Sequence, residues 1–174
     1  MVKVADLILR GLIFMFAAII MGLAGSLAST HKKGHYNPQV SYAVFCGAWS
    51  ALFGVFYPVL ANFIEAIAFP IVILIIDFIS WVLTLAGGAA LATAIRCHSC
   101  GNMNYVNSNK VTQGSKGRCR KAQATVAFLF FANFSFLATM ILSAISVKQL
   151  GAFTLPGRSR RSAPRTGIPT MSQV

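Results

Sequence analysis

The sequence predicts an all-α integral membrane protein: a bundle of four transmembrane helices with both termini on one side. Three observations carry this. The apolar residues come in long runs, only 10% of residues are charged, and basic polar stretches separate the runs. A soluble domain carries roughly 25% charged residues. At 56% hydrophobic, with a mean hydropathy of +0.70 over 174 residues, the chain holds more apolar surface than one water-soluble core can hide. Lipid is the solvent that suits it.

The first run, Gly11 to Ala28, follows Lys3, Asp6 and Arg10 and precedes His31-Lys32-Lys33. Ser26-Leu27-Ala28 resembles a signal-peptide cleavage site, but the run is longer than the usual apolar region of such a peptide. A retained helix is the preferred reading. Val40 to Ile95 carries only two charges, Glu65 and Asp77. As one helix it would be roughly 84 Å long against a hydrocarbon core of about 30 Å, so it must fold back. Pro58, Asn62, Glu65 and Pro70 mark the turn, with Glu65 placed near the headgroups, Pro70 suited to a first helical position and Pro58 suited to a kink. Arg96 to Lys121 is a polar loop, and Ala122 to Val147 is the fourth run. The plan is therefore residues 1–10 as an N-terminal segment and residues 11–150 as the membrane domain. Its helices lie near 11–29, 40–64, 69–95 and 122–147, with the loop at 96–121. Residues 151–174 form a basic tail whose composition suits disorder.

The net charge of +12 would suggest nucleic acid in a soluble protein. Here the basic residues flank apolar runs, so anionic lipid headgroups are the expected partners and nucleic acid is not. Counting Lys and Arg does not orient the bundle: seven fall on the terminal side and eight on the loop side. Cysteine chemistry is the better guide. A Cys100–Cys119 disulfide would remove loop entropy worth about 3 kcal/mol. It would form on an oxidising, non-cytosolic face, leaving both termini cytosolic. The rivals are free thiols, palmitoylation, zinc held by Cys97, His98, Cys100 and Cys119, and pairing of Cys97 with Cys100. Asn133-Phe134-Ser135 has the form of a glycosylation sequon but lies inside the fourth run, where it should stay unmodified.

In lipid, small residues allow helices to approach closely. Ala18, Gly22 and Ser26 share a face of helix 1. Ala43, Gly47 and Ala51 do so on helix 2, and Ser135, Thr139 and Ser143 on helix 4. They are the expected seams between helices or between subunits, although Gly, Ala and Ser are also simply common in such helices. Asp77 is the acid inside an apolar run, about 10 Å from the start of helix 3. A charge there is costly and marks pairing or function. Arg10, Thr139 and Ser143 lie at matching depth as candidate partners. A structural pair is preferred over a proton relay, since a transporter needs more polar groups near the midplane. No Ser/His/Asp set, carboxylate pair or phosphate loop appears, so no enzyme, cofactor or metal is expected.

Certain strings match a known family. Ala61-Asn62-Phe63-Ile64-Glu65, Phe69-Pro70 and Asp77-Phe78 are followed by His98-Ser99-Cys100 and by Ser108 to Ser115. Arg118-Cys119-Arg120, Gln123-Ala124 and the terminal Gly167 to Val174 complete the set. The chain resembles the fungal non-classical export proteins, tetraspanning MARVEL-domain proteins of the plasma membrane. Cys97 departs from the family's pattern. The resemblance implies a non-enzymatic, multi-pass plasma-membrane organiser, with roles in eisosome assembly, sphingolipid-linked signalling and export of proteins lacking signal peptides. It also implies eisosome coat proteins and sphingolipid as partners; sterol and further copies of the chain are additional candidates.

The tail has a mechanism of its own. Arg158, Arg160, Arg161 and Arg165 can hold it to an anionic leaflet at about 1 kcal/mol each. Phosphorylation of Ser159, Ser162 or Thr166 would release it. A solvated stop-transfer cluster is the plainer reading. Ser172-Gln173-Val174 has the form of a weak C-terminal carboxylate ligand. Two other functions stay open: a small transporter or proton-linked protein using Asp77, and a vesicle-trafficking protein of the MARVEL type.

Overall fold

The structure, a computed structural model, describes residues 2–30, 37–64, 69–96 and 98–150. Helix α1 runs Val2–Ser29, α2 Pro38–Trp49, α3 Tyr57–Phe63, α4 Pro70–Ile95, α5 Met103–Ser108 and α6 Lys116–Leu150. A π-helical stretch, Ser50–Phe56, joins α2 to α3, and the backbone stays right-handed helical through both junctions. These elements make four helices long and apolar enough to cross a membrane: Val4–Ser29, Pro38–Ala61, Pro70–Ile95 and Lys116–Gln149. Among the described residues there is no strand.

The four spans form a ring. Span 1 (α1) packs beside the second span (α2, the π stretch and α3) and beside the fourth (α6), and α4 packs against both of those. The interior is filled by Ile20, Ala24, Ala43, Cys46, Leu91, Leu129 and Ala132 towards the loop end, and by Ile13, Val55 and Phe136 towards the terminal end. Much of the outer surface is bare apolar side chain, such as Phe63, Phe134 and Leu52, as lipid-facing helices require.

Local chemistry sets the helix ends. Pro38 and Pro70 stand in the first turns of α2 and α4, where a missing N–H breaks no intrahelical bond. Arg96 ends α4 with a left-handed φ of 48°. Asn102 caps α5 by accepting from the N–H groups of Asn104 and Tyr105. Gln113 and Gly114, both at positive φ, turn the chain into α6. That backbone is cheap for Gly114.

Two boundaries differ from the sequence expectation. Helix α1 begins at Val2 rather than near residue 11, because Arg10 lies inside the bundle, 1% exposed, and not in a flanking segment. Helix α6 begins at Lys116 rather than near residue 122. Its first turns stand above the apolar run, where Cys119 is bonded to Cys100. The loop is accordingly a small built cap. Tyr105 Oη donates to the Ile95 carbonyl, Asn109 Nδ2 donates to the Ala94 carbonyl at 2.9 Å, and Thr112 Oγ1 donates to the Val106 carbonyl at 2.6 Å. Asn37 Nδ2 donates to the Lys110 carbonyl at 2.9 Å and ties the cap to the start of span 2.

The expected seams fall out unevenly. Ala43, Gly47 and Ala51 are buried. A Cβ on Gly47 would stand 2.8 Å from Met21 Cγ and 3.3 Å from the Ala17 carbonyl oxygen, so that glycine sets the approach of α2 to α1. On helix 1 the expected seam does not lie inside the bundle. Ala18 and Gly22 are exposed, and nothing lies within 4 Å of a Cβ at Gly22. The inward face is Ile13, Ala17, Ile20, Ala24 and Leu27. Ser26 is half-buried and accepts from Lys121 Nζ at 2.7 Å. On α6, Thr139 and Ser143 are buried, while Ser135 is half-buried and donates to its own helix at the Phe131 carbonyl.

Candidate functional site

Near the terminal end, one polar node draws a group from each span. Asp77 of α4 is fully buried. Arg10 of α1 grips it with both ends of its guanidinium, Nη1 to Oδ1 at 2.6 Å and Nη2 to Oδ2 at 2.9 Å. Ser143 Oγ of α6 donates to Oδ2 at 2.8 Å. The second span contributes a carbonyl: Arg10 Nη1 also donates to the Gly54 oxygen at 2.7 Å. Both carboxylate oxygens are thus held by donors. A two-pronged Arg–carboxylate pair is the strongest form of such contact.

The Gly54 carbonyl is available for a reason. In a regular helix its partner would be the N–H of residue 58, and Pro58 has none. The second span loosens into the π stretch just before this proline, where Tyr57 N–H reaches back to the Leu52 carbonyl. Gly54 also makes room: a Cβ there would stand 2.6 Å from Cζ of Phe136, a fully buried ring on α6. Gly54→Ala is therefore expected to cost about 1–3 kcal/mol through overpacking. Combining it with Phe136→Leu should recover part of the loss, as read by thermal unfolding in detergent.

Asp6, one turn before Arg10 and partly exposed, lies 3.5 Å from Arg10 Nε, which has no hydrogen-bond partner. The cation thus faces two acids, Asp77 closely and Asp6 more loosely. Among the described residues the ion pairs are those of Arg10.

A second polar seam lies at mid-depth. Trp49 Nε1 donates to Ser80 Oγ at 3.1 Å, and Asn133 Nδ2 donates to the Trp81 carbonyl at 2.7 Å and to Thr84 Oγ1 at 3.2 Å. The amide nitrogen of the Asn133 sequon is therefore engaged inside the bundle.

At the loop end, Cys100 and Cys119 are bonded, with Cα atoms 5.8 Å apart. That corrects the zinc and Cys97–Cys100 alternatives, which need these sulfurs free. The His98 ring lies tilted at 59° against Tyr105, with centroids 4.9 Å apart. No metal-holding group of three His, Cys, Asp or Glu occurs among the described residues.

Of the anticipated partners of Asp77, Arg10 and Ser143 bond it. Thr139 instead donates to the Phe136 carbonyl of its own helix. Glu65, Cys97, Arg158, Ser159, Arg160, Arg161, Ser162, Arg165, Thr166 and the last three residues lie outside the described residues. Sequence reasoning missed Asp6, Asn133 as a core amide, and the Gly54 carbonyl. The last had a signal in the spacing of Gly54 and Pro58.

Four apolar spans closed around a buried ion pair define a membrane-associating protein. The MARVEL membrane-associating domain matches residues 3–142. Over the full length of both chains, the sequence is 49% identical to Non-classical export protein 102 of Candida albicans. On the same full-length basis it is 44% identical to Non-classical export protein 2 of Saccharomyces cerevisiae and 38% to that yeast's Non-classical export protein 2 homolog 1. The chain belongs to the MARVEL family and, within it, to the non-classical export proteins of yeasts. No solved structure matches it.

Proposed function

We propose that this chain is a non-enzymatic organiser of the plasma membrane that supports non-classical protein export. The observation that carries this reading is the node at Asp77. An acid fully buried, gripped at both oxygens by Arg10 and held by Ser143, is built as a lock between helices. A proton relay needs a group free to change partners. The names of the relatives support the export role. Assembly of eisosome-type domains, with coat proteins and sphingolipid-linked signalling, rests on the family resemblance.

The proposed orientation rests on redox chemistry. The Cys100–Cys119 bond favours an oxidising face for the loop, which leaves both termini cytosolic. The tail arginines, Arg158, Arg160, Arg161 and Arg165, then face the anionic inner leaflet, where each contributes about 1 kcal/mol of attraction. Phosphates on Ser159, Ser162 or Thr166 would oppose it.

Asp77→Asn tests the reading. It removes the charge and keeps the shape. An organiser should lose its clustering or its place in the surface membrane, as seen by fluorescence and immunogold microscopy. A variant that keeps its clusters and location but loses a measurable proton or solute flux would reverse the assignment in favour of transport.

A further inference from the structure

Among the described residues two arginines are buried, and one of them has a counter-charge. Arg10 has Asp77 and Asp6. Arg118, 9% exposed, has neutral partners: its Nε donates to the Val111 carbonyl at 3.1 Å and its Nη1 to Thr30 Oγ1 at 2.6 Å. Its Nη2 is buried and has no partner. The described residues offer no side-chain carboxylate nearby. Of the three acids, Asp6 and Asp77 sit in the node at the opposite end, and Glu65 lies outside the described residues. A desolvated cation without a counter-ion is costly, and no described residue supplies the anion.

The surroundings are suited to one. Lys121 follows Arg118 on the same side of α6, its ammonium 2.7 Å from Ser26 Oγ. Lys116 and Arg120 are exposed on the first turns of α6, Arg96 at the end of α4, and Lys110 in the cap. Some of this charge has a simpler purpose. The carbonyl end of α1 has no basic residue in its own last turn, and Arg118 and Lys121 supply it. That accounts for their contacts with Thr30 and Ser26. It leaves Nη2 and the outward cations unexplained.

We propose that Arg118 and Lys121 bind the phosphate of a lipid headgroup in the leaflet on the disulfide face. The cluster lies where span 3 ends at Ile95 and span 4 begins at Lys116, which is the level of the headgroups. A guanidinium presents donors in a fork that matches a phosphate. Inorganic phosphate shares that chemistry but lacks the acyl chains that would lie along α1 and α6. The site is separate from the tail and stands whichever way the bundle is oriented.

The test uses purified, delipidated full-length protein in a neutral detergent, with its thermal unfolding midpoint followed as a probe is added. Three probes are compared: phosphatidic acid, diacylglycerol of the same chains, and inorganic phosphate. Phosphatidic acid should raise the midpoint and diacylglycerol should not, with inorganic phosphate acting only at far higher concentration. Lys121→Gln should weaken the apparent affinity about five-fold and Arg118→Gln more, while Lys116→Gln with Arg120→Gln, on the opposite face of α6, should leave it near that of the parent. Changing all four tail arginines to Gln should leave the shift intact, because a segment that binds lipid equally in the folded and unfolded states does not move the midpoint. If Arg118→Gln fails to fold, Lys121→Gln decides, since it keeps the Arg118 contacts. A wild-type response in that variant, or loss of the shift in the tail variant, overturns the site. Equal potency of inorganic phosphate and phosphatidic acid overturns the lipid assignment in favour of a free-anion site.

Discussion

Replacing Arg10 by Leu will destabilise the bundle by about 3–5 kcal/mol, because it leaves Asp77 charged and buried with no cation. The same change removes the donor to the Gly54 carbonyl beside the break made by Pro58. The double variant Arg10→Leu, Asp77→Leu should regain much of that loss, since apolar side chains of similar size often replace a buried pair at little cost. Arg10→Lys should fall between, because an ammonium cannot grip both carboxylate oxygens and the carbonyl in the same fixed geometry. Denaturant unfolding in detergent micelles gives all three values. A single Leu variant as stable as the parent would remove the node from any account of how the spans are held.

Cys119→Ser should cost about 3 kcal/mol, the loop entropy released when a crosslink of this span is lost. The bond joins residues 19 apart in sequence and holds the cap over the ends of α4 and α6. Its loss should also loosen the contacts of Tyr105 with Ile95 and of Asn109 with Ala94, which hydrogen exchange at those amides would detect. Reductant should lower the parent's unfolding midpoint to that of the variant and leave the variant unmoved. A parent insensitive to reductant would show that the hydrogen bonds of the cap suffice without the bond.

The number of spans was plain in the sequence because lipid demands long apolar runs, and four of them stand out. Which face of each helix turns inward was far less plain. In water an amphipathic stripe marks the core, but a helix apolar all round carries no such stripe. For helix 1 the small residues Ala18 and Gly22 therefore looked as good a seam as Ile13, Ala17, Ile20 and Ala24, which are the ones buried. Polar residues carried more information. Depth counting offered Arg10, Thr139 and Ser143 as partners of Asp77, and Arg10 and Ser143 bond it while Thr139 does not. Arg10 nonetheless read as a flank of its run, since a charge usually ends a span. Only the presence of its partner reveals that it lies inside. Pro58 marked an irregularity in helix 2, but not that it takes the form of a π stretch. The unanswered charge of Arg118 was not legible either, since burial is a property of the fold and not of the residue.

The bundle is fastened at both ends, by a covalent bond at the cap and by a charge lock near the termini, and this bears on how it fits a membrane. Its first three spans are 26, 24 and 26 residues long, or about 36–39 Å at the helical rise, against a hydrocarbon core of about 30 Å. A loose set of helices could relieve that excess by sliding and tilting independently. One pinned top and bottom tilts as a block, and the remaining mismatch passes to the surrounding lipid. Such a body rests with less strain in a thick bilayer than in a thin one, so its stiffness makes hydrophobic thickness itself a property that it can sort by or impose.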